Sequence, residues 1–273
     1  MKNSINAFTF ASSEVNKFSQ TFIKIVEFFS GKLTLKKLYD QYLLENNSPE
    51  NFWHDALKKL RLNLVTNFHF SKDIPIRGSL IVVANHAFGV VDGVSICSII
   101  SSVRQDYKMI THKVLRQAEA VKDKIIPIDF SGTKEAILNN IQARKSAEDF
   151  LKDGGIIIIF PSGTIATKSN IFKDHKADEG DWKQFAAKLT LKTNAGVLPM
   201  FFEGQNSFFF HLANKIGQTF RYSLMMFELK KKIGDTIKVH IGNVIDNNTL
   251  TEIGNIKEIT KYIRKKTYNL DPN

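Results

Sequence analysis

Leu80-Ile81-Val82-Val83-Ala84-Asn85-His86-Ala87-Phe88-Gly89-Val90-Val91-Asp92-Gly93 is the stretch from which the fold can be read. Five apolar residues, three of them β-branched, run without alternation into a polar pair. A strand of that composition is buried on both faces, as in a parallel sheet covered by helices. Gly89 then permits a bend, and Asp92 stands where a helical pattern begins. Functional groups of such sheets gather at the carboxyl ends of the strands, which is where His86 falls.

Working outward, similar apolar runs occupy 107–111, 125–130, 155–160, 195–202 and 236–241. Helical patterns at 93–103, 133–152 and 182–193 separate them. The alternation predicts an α/β fold with a mostly parallel central sheet flanked by helices. The first 65 or so residues read instead as helical. Residues 13–29 carry an apolar stripe (Phe18, Phe22, Ile25, Phe29), and residues 33–44 form a second apolar stretch. Ser48-Pro49-Glu50 announces a third helix with a stripe of Phe52, Ala56, Leu57, Leu60 and Leu64. The chain therefore divides into an N-terminal helical segment, 1–70, and an α/β domain, 71–273.

Composition narrows the function. With 273 residues, 43% hydrophobic and 24% charged, the chain can bury a sizeable core. A single cysteine, Cys97, excludes an internal disulfide framework, and seven scattered histidines show no metal-ligand spacing. No Gly-x-Ser-x-Gly elbow, phosphate-binding lysine loop or dinucleotide fingerprint occurs. The excess of 38 basic over 27 acidic residues, +11, predicts an anionic partner: nucleic acid, a membrane surface or an acidic carrier. Phe outnumbers Tyr and Trp by 22 to 6 and 2, which suits lipid better than stacked bases. No run spans a bilayer, since 78–100 is interrupted by Asn85, His86 and Asp92, and residues 1–13 lack a secretory signal. A cytoplasmic protein that meets a membrane from the side is expected.

His86 and Asp92 would point about 240° apart on one helix, so they meet only if the residues between them form a loop. An imidazole held by a carboxylate can take a proton from a hydroxyl. The plain alternative is a buried histidine followed by a helix-capping aspartate.

Asn85-His86, Asp92-Gly93, then Phe160-Pro161-Ser162-Gly163-Thr164, then Val197-Leu198-Pro199-Met200-Phe201-Phe202-Glu203-Gly204 resemble the lysophospholipid and glycerolipid acyltransferase family in order and spacing. The likeness covers roughly residues 79–241. The family usually places four residues between its histidine and aspartate. The five found here, with Phe202–Ser207, Arg221 and Glu228 downstream, resemble the branch that acylates lyso-ornithine lipid and other aminolipids.

The resemblance implies acyl transfer to a lysolipid hydroxyl from an acyl carrier protein or coenzyme A thioester, with no further cofactor and no metal. It implies His86 as general base and Asp92 as its orienting partner. Ser162, Gly163 and Thr164 would sit on the donor side; a glycine in a strand-to-loop turn suggests further that the Gly163 amide faces the oxyanion, the plain alternative for these three being an ordinary turn and helix cap. Lys113, Glu203, Asn206 and Arg221 would bind the acceptor. Phosphate-accepting relatives carry an arginine in each of two blocks that here read Pro127-Ile128-Asp129-Phe130 and Ser162-Gly163-Thr164-Ile165-Ala166; the second is Glu-Gly-Thr-Arg-Ser in those relatives. Without those arginines a phosphate monoester is disfavoured and a lyso-aminolipid preferred, Lys113 and Lys168 being the substitutes if lysophosphatidic acid is the acceptor.

Arg221 either grips the acceptor's carboxylate or sulfonate, or pairs with Glu228 seven residues on. The N-terminal Phe stripe either enters the membrane or packs on the domain. Lys230–Lys232, and Lys261, Arg264, Lys265 and Lys266 opposite Ile253, Ile256, Ile259 and Ile263, are basic faces suited to an anionic membrane on its inner side. A non-catalytic membrane-binding protein and a nucleic-acid binder are the readings from other classes. Intact His86, Asp92 and Gly163 oppose the first, and the Phe-rich composition opposes the second.

Overall fold

The computed structural model describes residues 32–45, 48–67, 74–112, 119–129 and 131–272. The N-terminal stripe at 13–29 and Lys113 lie outside them. Seven strands form one sheet: β1 Asn63–Thr66, β2 Leu80–Ala84, β3 Tyr107–His112, β4 Ile125–Ile128, β5 Ile156–Ile159, β6 Gly196–Phe202 and β7 Thr236–Ile241. The helices among the described residues are α1 Lys32–Leu44, α2 Phe52–Lys59, α3 Val90–Ser101, α4 Lys134–Lys152, α5 Phe185–Thr193, α6 Phe208–Ile216, α7 Gln218–Lys231, α8 Asn247–Ile253 and α9 Ile256–Tyr268.

Strand order is β1-β7-β6-β2-β5-β3-β4, and every pairing is parallel except that of β6 with β7. All residues of β2 and β5 are buried, as their continuous apolar runs require. Alternate side chains serve opposite faces. Leu80, Val82, Ile156 and Ile158 join a core with α1, α2, α3 and α7. Ile81, Val83, Ile157 and Ile159 join a second core with α4, α5, α8 and α9. Each fully buried side chain of this kind contributes about 1.5–3 kcal/mol by leaving water.

β1 corrects the reading of the first 65 residues as wholly helical, and Leu64 is a strand residue. α2 closes at Lys59 because Arg61 takes φ 50, while Leu62 and Arg61 donate backbone bonds to the carbonyls of Leu57 and Lys58. This is a Schellman stop made without glycine. β1 then pairs with β7, and Leu35, Trp53, Leu57 and Leu62 enter the main core. The division at residue 70 thus does not separate two packing units.

The amphipathic C-terminal helix is also corrected. Ile259 and Ile263 of α9 are 0% and 1% exposed beneath the sheet, so that apolar face is already covered. Arg264 pairs with Asp178, and Lys261 with Glu258. Thr133 accepts from the Ala136 amide, so Ser131-Gly132-Thr133, which repeats the residues of 162–164, caps α4. Cys97 is buried in α3, where loss of hydration pushes its thiol pKa up.

Candidate active site

The carboxyl end of β2 is clamped before the chain turns. Asn85, buried, accepts from the Phe202 amide at 2.7 Å and donates to the Phe202 carbonyl at 3.0 Å, tying β2 to β6. His86 follows, with its ring stacked on Phe160 at 4.2 Å between centroids. Gly89, at φ 93, bends the chain so that α3 starts at Val90 and Asp92 lies in its first turn.

Asp92 Oδ2 lies 2.8 Å from His86 Nδ1 and accepts the amides of Phe88 and Gly89 at 2.8 and 2.9 Å. One carboxylate oxygen therefore caps the helix and holds the imidazole. Because a carboxylate only accepts, the proton between them belongs to Nδ1, which leaves the lone pair on Nε2. A Cβ at Gly89 would stand 2.6 Å from Met225 Cε and 2.8 Å from Ile165 Cδ1. Gly89→Ala is therefore expected to lose about 1–3 kcal/mol in a urea melt, from the left-handed backbone before any side chain adjusts.

The loop after β5 straps this corner. The Ala166 amide donates to the His86 carbonyl at 2.7 Å, and the His86 amide donates to Glu179 Oε2 at 2.8 Å. Glu179 returns to this point because Thr167 and Asp178 pair across the loop. It is 6% exposed and also accepts Ser162 Oγ at 2.9 Å, Trp182 Nε1 at 2.6 Å and the Tyr268 hydroxyl at 3.0 Å. Burial pushes its carboxyl above the ordinary range, against the pull of the Trp182, Ser162 and His86 donors.

A cavity of about 990 Å³ opens across this end of the sheet. His86, Phe160, Gly163, Thr164 and Arg221 lie on its wall. Apolar residues of both layers complete it, among them Leu35, Phe52 and Met226 from one and Ile110 and Ile159 from the other. Arg144, Lys183 and Lys188 also border it.

The predicted site residues divide accordingly. His86, Asp92, Gly163, Thr164 and Arg221 come together. Gly163 is corrected in its role: its amide donates to the Phe160 carbonyl at 3.0 Å, so the turn itself uses the group expected to face an oxyanion. Ser162 is 3% exposed and donates to Glu179 and to the Thr164 carbonyl, away from the cavity wall.

Glu203 and Asn206, expected to bind the acceptor, are absent from the wall of this cavity. Glu203 pairs with His240 at 3.1 Å and Lys238 at 3.2 Å, which hold its carboxyl below the ordinary range. Asn206 is 4% exposed beneath α6. Glu228 accepts the Ser207 amide at 3.0 Å and the Ser207 hydroxyl, while Arg221 donates to Asn214 Oδ1 at 3.1 Å. Lys168 is off the wall and close enough to His211 to add to the burial that lowers that imidazole's pKa. Sequence reasoning missed Glu179. Three acids stand close together at Asp178, Glu179 and Asp181, and nothing in their spacing selects the one that folds back.

Residues 42–273 match the model of the acyltransferase family, and the chain belongs to it. Among individual proteins it is similar to the lyso-glycine lipid O-acyltransferase of Phocaeicola vulgatus, 23% identical over 206 residues, covering 73% of this chain and 71% of that one. The enzyme of the same name from Bacteroides thetaiotaomicron is 24% identical over 214 residues, covering 73% and 72%. The fold matches the crystal structure of the 1-acyl-sn-glycerophosphate (LPA) acyltransferase PlsC from Thermotoga maritima, with a TM-score of 0.54 and 17% identity over 92% of this chain and 94% of that one.

Proposed function

We propose that the protein moves a fatty acyl chain from a thioester to the hydroxyl of a lyso-aminolipid whose headgroup ends in a carboxylate. The observation that carries the reading is the 2.8 Å contact between His86 Nδ1 and Asp92 Oδ2 on the wall of a large, mostly apolar cavity. In the reaction, His86 Nε2 takes the proton of the acceptor hydroxyl as its oxygen attacks the thioester carbonyl. The tetrahedral adduct expels the thiolate, which takes the proton back from the imidazolium. The products are an ester and a free thiol. Asp92 keeps Nδ1 protonated and stabilises the imidazolium between the two steps. The thioester is carried by an acyl carrier protein or coenzyme A.

Three observations support an amino-acid headgroup. The two arginine positions of phosphate-accepting relatives are filled otherwise, Arg221 stands on the cavity wall, and the similar Phocaeicola and Bacteroides enzymes are named for lyso-glycine lipid. A guanidinium binds a carboxylate through two parallel bonds. No helix among the described residues is long and apolar enough to cross a membrane. With a charge of +11, the protein is proposed to work on an anionic membrane surface from its cytoplasmic side.

The test offers one acyl thioester to lyso-glycine lipid, lyso-ornithine lipid and lysophosphatidic acid side by side. Esterification of the aminolipids at least about 10-fold faster than of lysophosphatidic acid is expected, a margin of about 1.4 kcal/mol. Preference for lysophosphatidic acid overturns the headgroup assignment. Arg221→Gln is expected to raise KM for the aminolipid about 10–100-fold, with the donor KM unchanged, because it removes a charge-assisted pair from the acceptor alone.

A further inference from the structure

Phosphate-accepting relatives carry a glutamate where this chain has Ser162, and here the Ser162 hydroxyl donates to a carboxylate, that of Glu179. We propose that Glu179 is a positioning residue of the active site, replacing that glutamate from a point seventeen residues further along the chain. It fixes the His86 backbone and the turn that begins at Ser162, and it sets a negative charge beside the imidazolium formed during transfer.

The two oxygens of Glu179 divide the work. Oε1 accepts from Trp182 Nε1 and the Tyr268 hydroxyl. Oε2, the oxygen bonded to the base residue, accepts from the His86 amide and Ser162 Oγ. The backbone carbonyl of the same residue accepts Thr164 Oγ1 at 3.0 Å. His86 and Thr164, both on the cavity wall, are thus tied to one residue, the first through its carboxylate and the second through its backbone carbonyl. A region that needed only packing would be better filled by an apolar group, since a buried carboxylate is costly even when fully hydrogen-bonded. Its place next to the base gives that cost a use.

Glutamine cannot reproduce the arrangement. With its NH₂ in the place of Oε1 it meets the Trp182 N–H, and in the place of Oε2 it meets the His86 N–H. Neither of those groups can accept. One N–H is left unmet in either orientation, and the negative charge is gone.

The inference rests on His86 acting as the base, and the experiment separates the two. Glu179→Gln is expected to lower kcat about 10–100-fold with KM for both substrates within about twofold, because it alters the environment of the base rather than the substrate contacts. Ser162→Glu combined with Glu179→Ala puts the carboxylate back at the position it has in the resembled run. That pair is expected to recover at least about tenfold in kcat over Glu179→Ala alone, with both KM values unchanged and at equal folded fraction, which a purely structural role does not predict. Tyr268→Phe, removing a donor from Oε1 only, is expected to lower the melting temperature and leave kcat within about twofold, as His86 is bonded to the other oxygen. Wild-type kcat in Glu179→Gln, or a double variant no better than Glu179→Ala, overturns the assignment. A wild-type protein that acylates no lysolipid overturns the proposed function itself, and this inference with it.

Discussion

Alanine at position 86 is expected to end acyl transfer while the protein stays folded. The fold survives because the bonds that hold this corner belong to the backbone of residue 86. Its amide reaches Glu179 and its carbonyl receives Ala166, and neither depends on the side chain. Asp92 keeps the amides of Phe88 and Gly89 on the oxygen that His86 leaves. What disappears is the ring that stacks on Phe160, and with it the only base that the proposed mechanism uses. Loss of a positioned general base costs about 10²–10⁴ in rate, roughly 3–5 kcal/mol of barrier. Steady-state kcat with an aminolipid acceptor, set beside a thermal melt, checks both halves. Activity within about tenfold of wild type in a folded His86→Ala protein would remove His86 from the mechanism, since that is less than any general base is worth.

Different parts of the structure were legible to different degrees, for physical reasons. β2 and β5 were readable because a strand buried on both faces leaves no polar alternation to confuse with a loop. β1 was not. It is four residues at a sheet edge, and the stop before it uses Arg61 rather than the glycine that normally announces one.

In the site, the pairing of His86 with Asp92 was local, six residues apart, and its one requirement was a bend that Gly89 advertises. The contact from His86 to Glu179 spans 93 residues and depends on the Thr167–Asp178 pairing, which leaves no periodic trace. The glycine at 163 correctly marked a turn, but the turn's own bond to Phe160 takes the amide expected to face the substrate. The isoleucines of α9 showed an apolar face without saying what covers it, and the sheet does. Periodicity reports that a surface needs a partner. It does not report which one.

Asparagine at position 92 isolates the charge of the dyad, and kcat is expected to fall about 10³-fold, roughly 4 kcal/mol. The reason lies in how Asp92 is held. His86 Nδ1 and the amides of Phe88 and Gly89 all meet the same oxygen, Oδ2. An asparagine carbonyl placed there satisfies all three, so the bend, the helix start and the imidazole tautomer are kept. The NH₂ group then takes the site of Oδ1, which is buried and has no hydrogen-bond partner among the described residues. That exchange costs about 1–3 kcal/mol of stability, because two buried donors go unmet. The catalytic loss has a separate origin: with no anion behind it, the imidazolium formed on taking the hydroxyl proton is no longer stabilised. Asp92→Ala removes the acceptor of three donors at once and is expected to melt well below the asparagine variant. Comparing the two separates charge from structure. A folded Asp92→Asn protein with wild-type kcat would mean that Asp92 only caps α3.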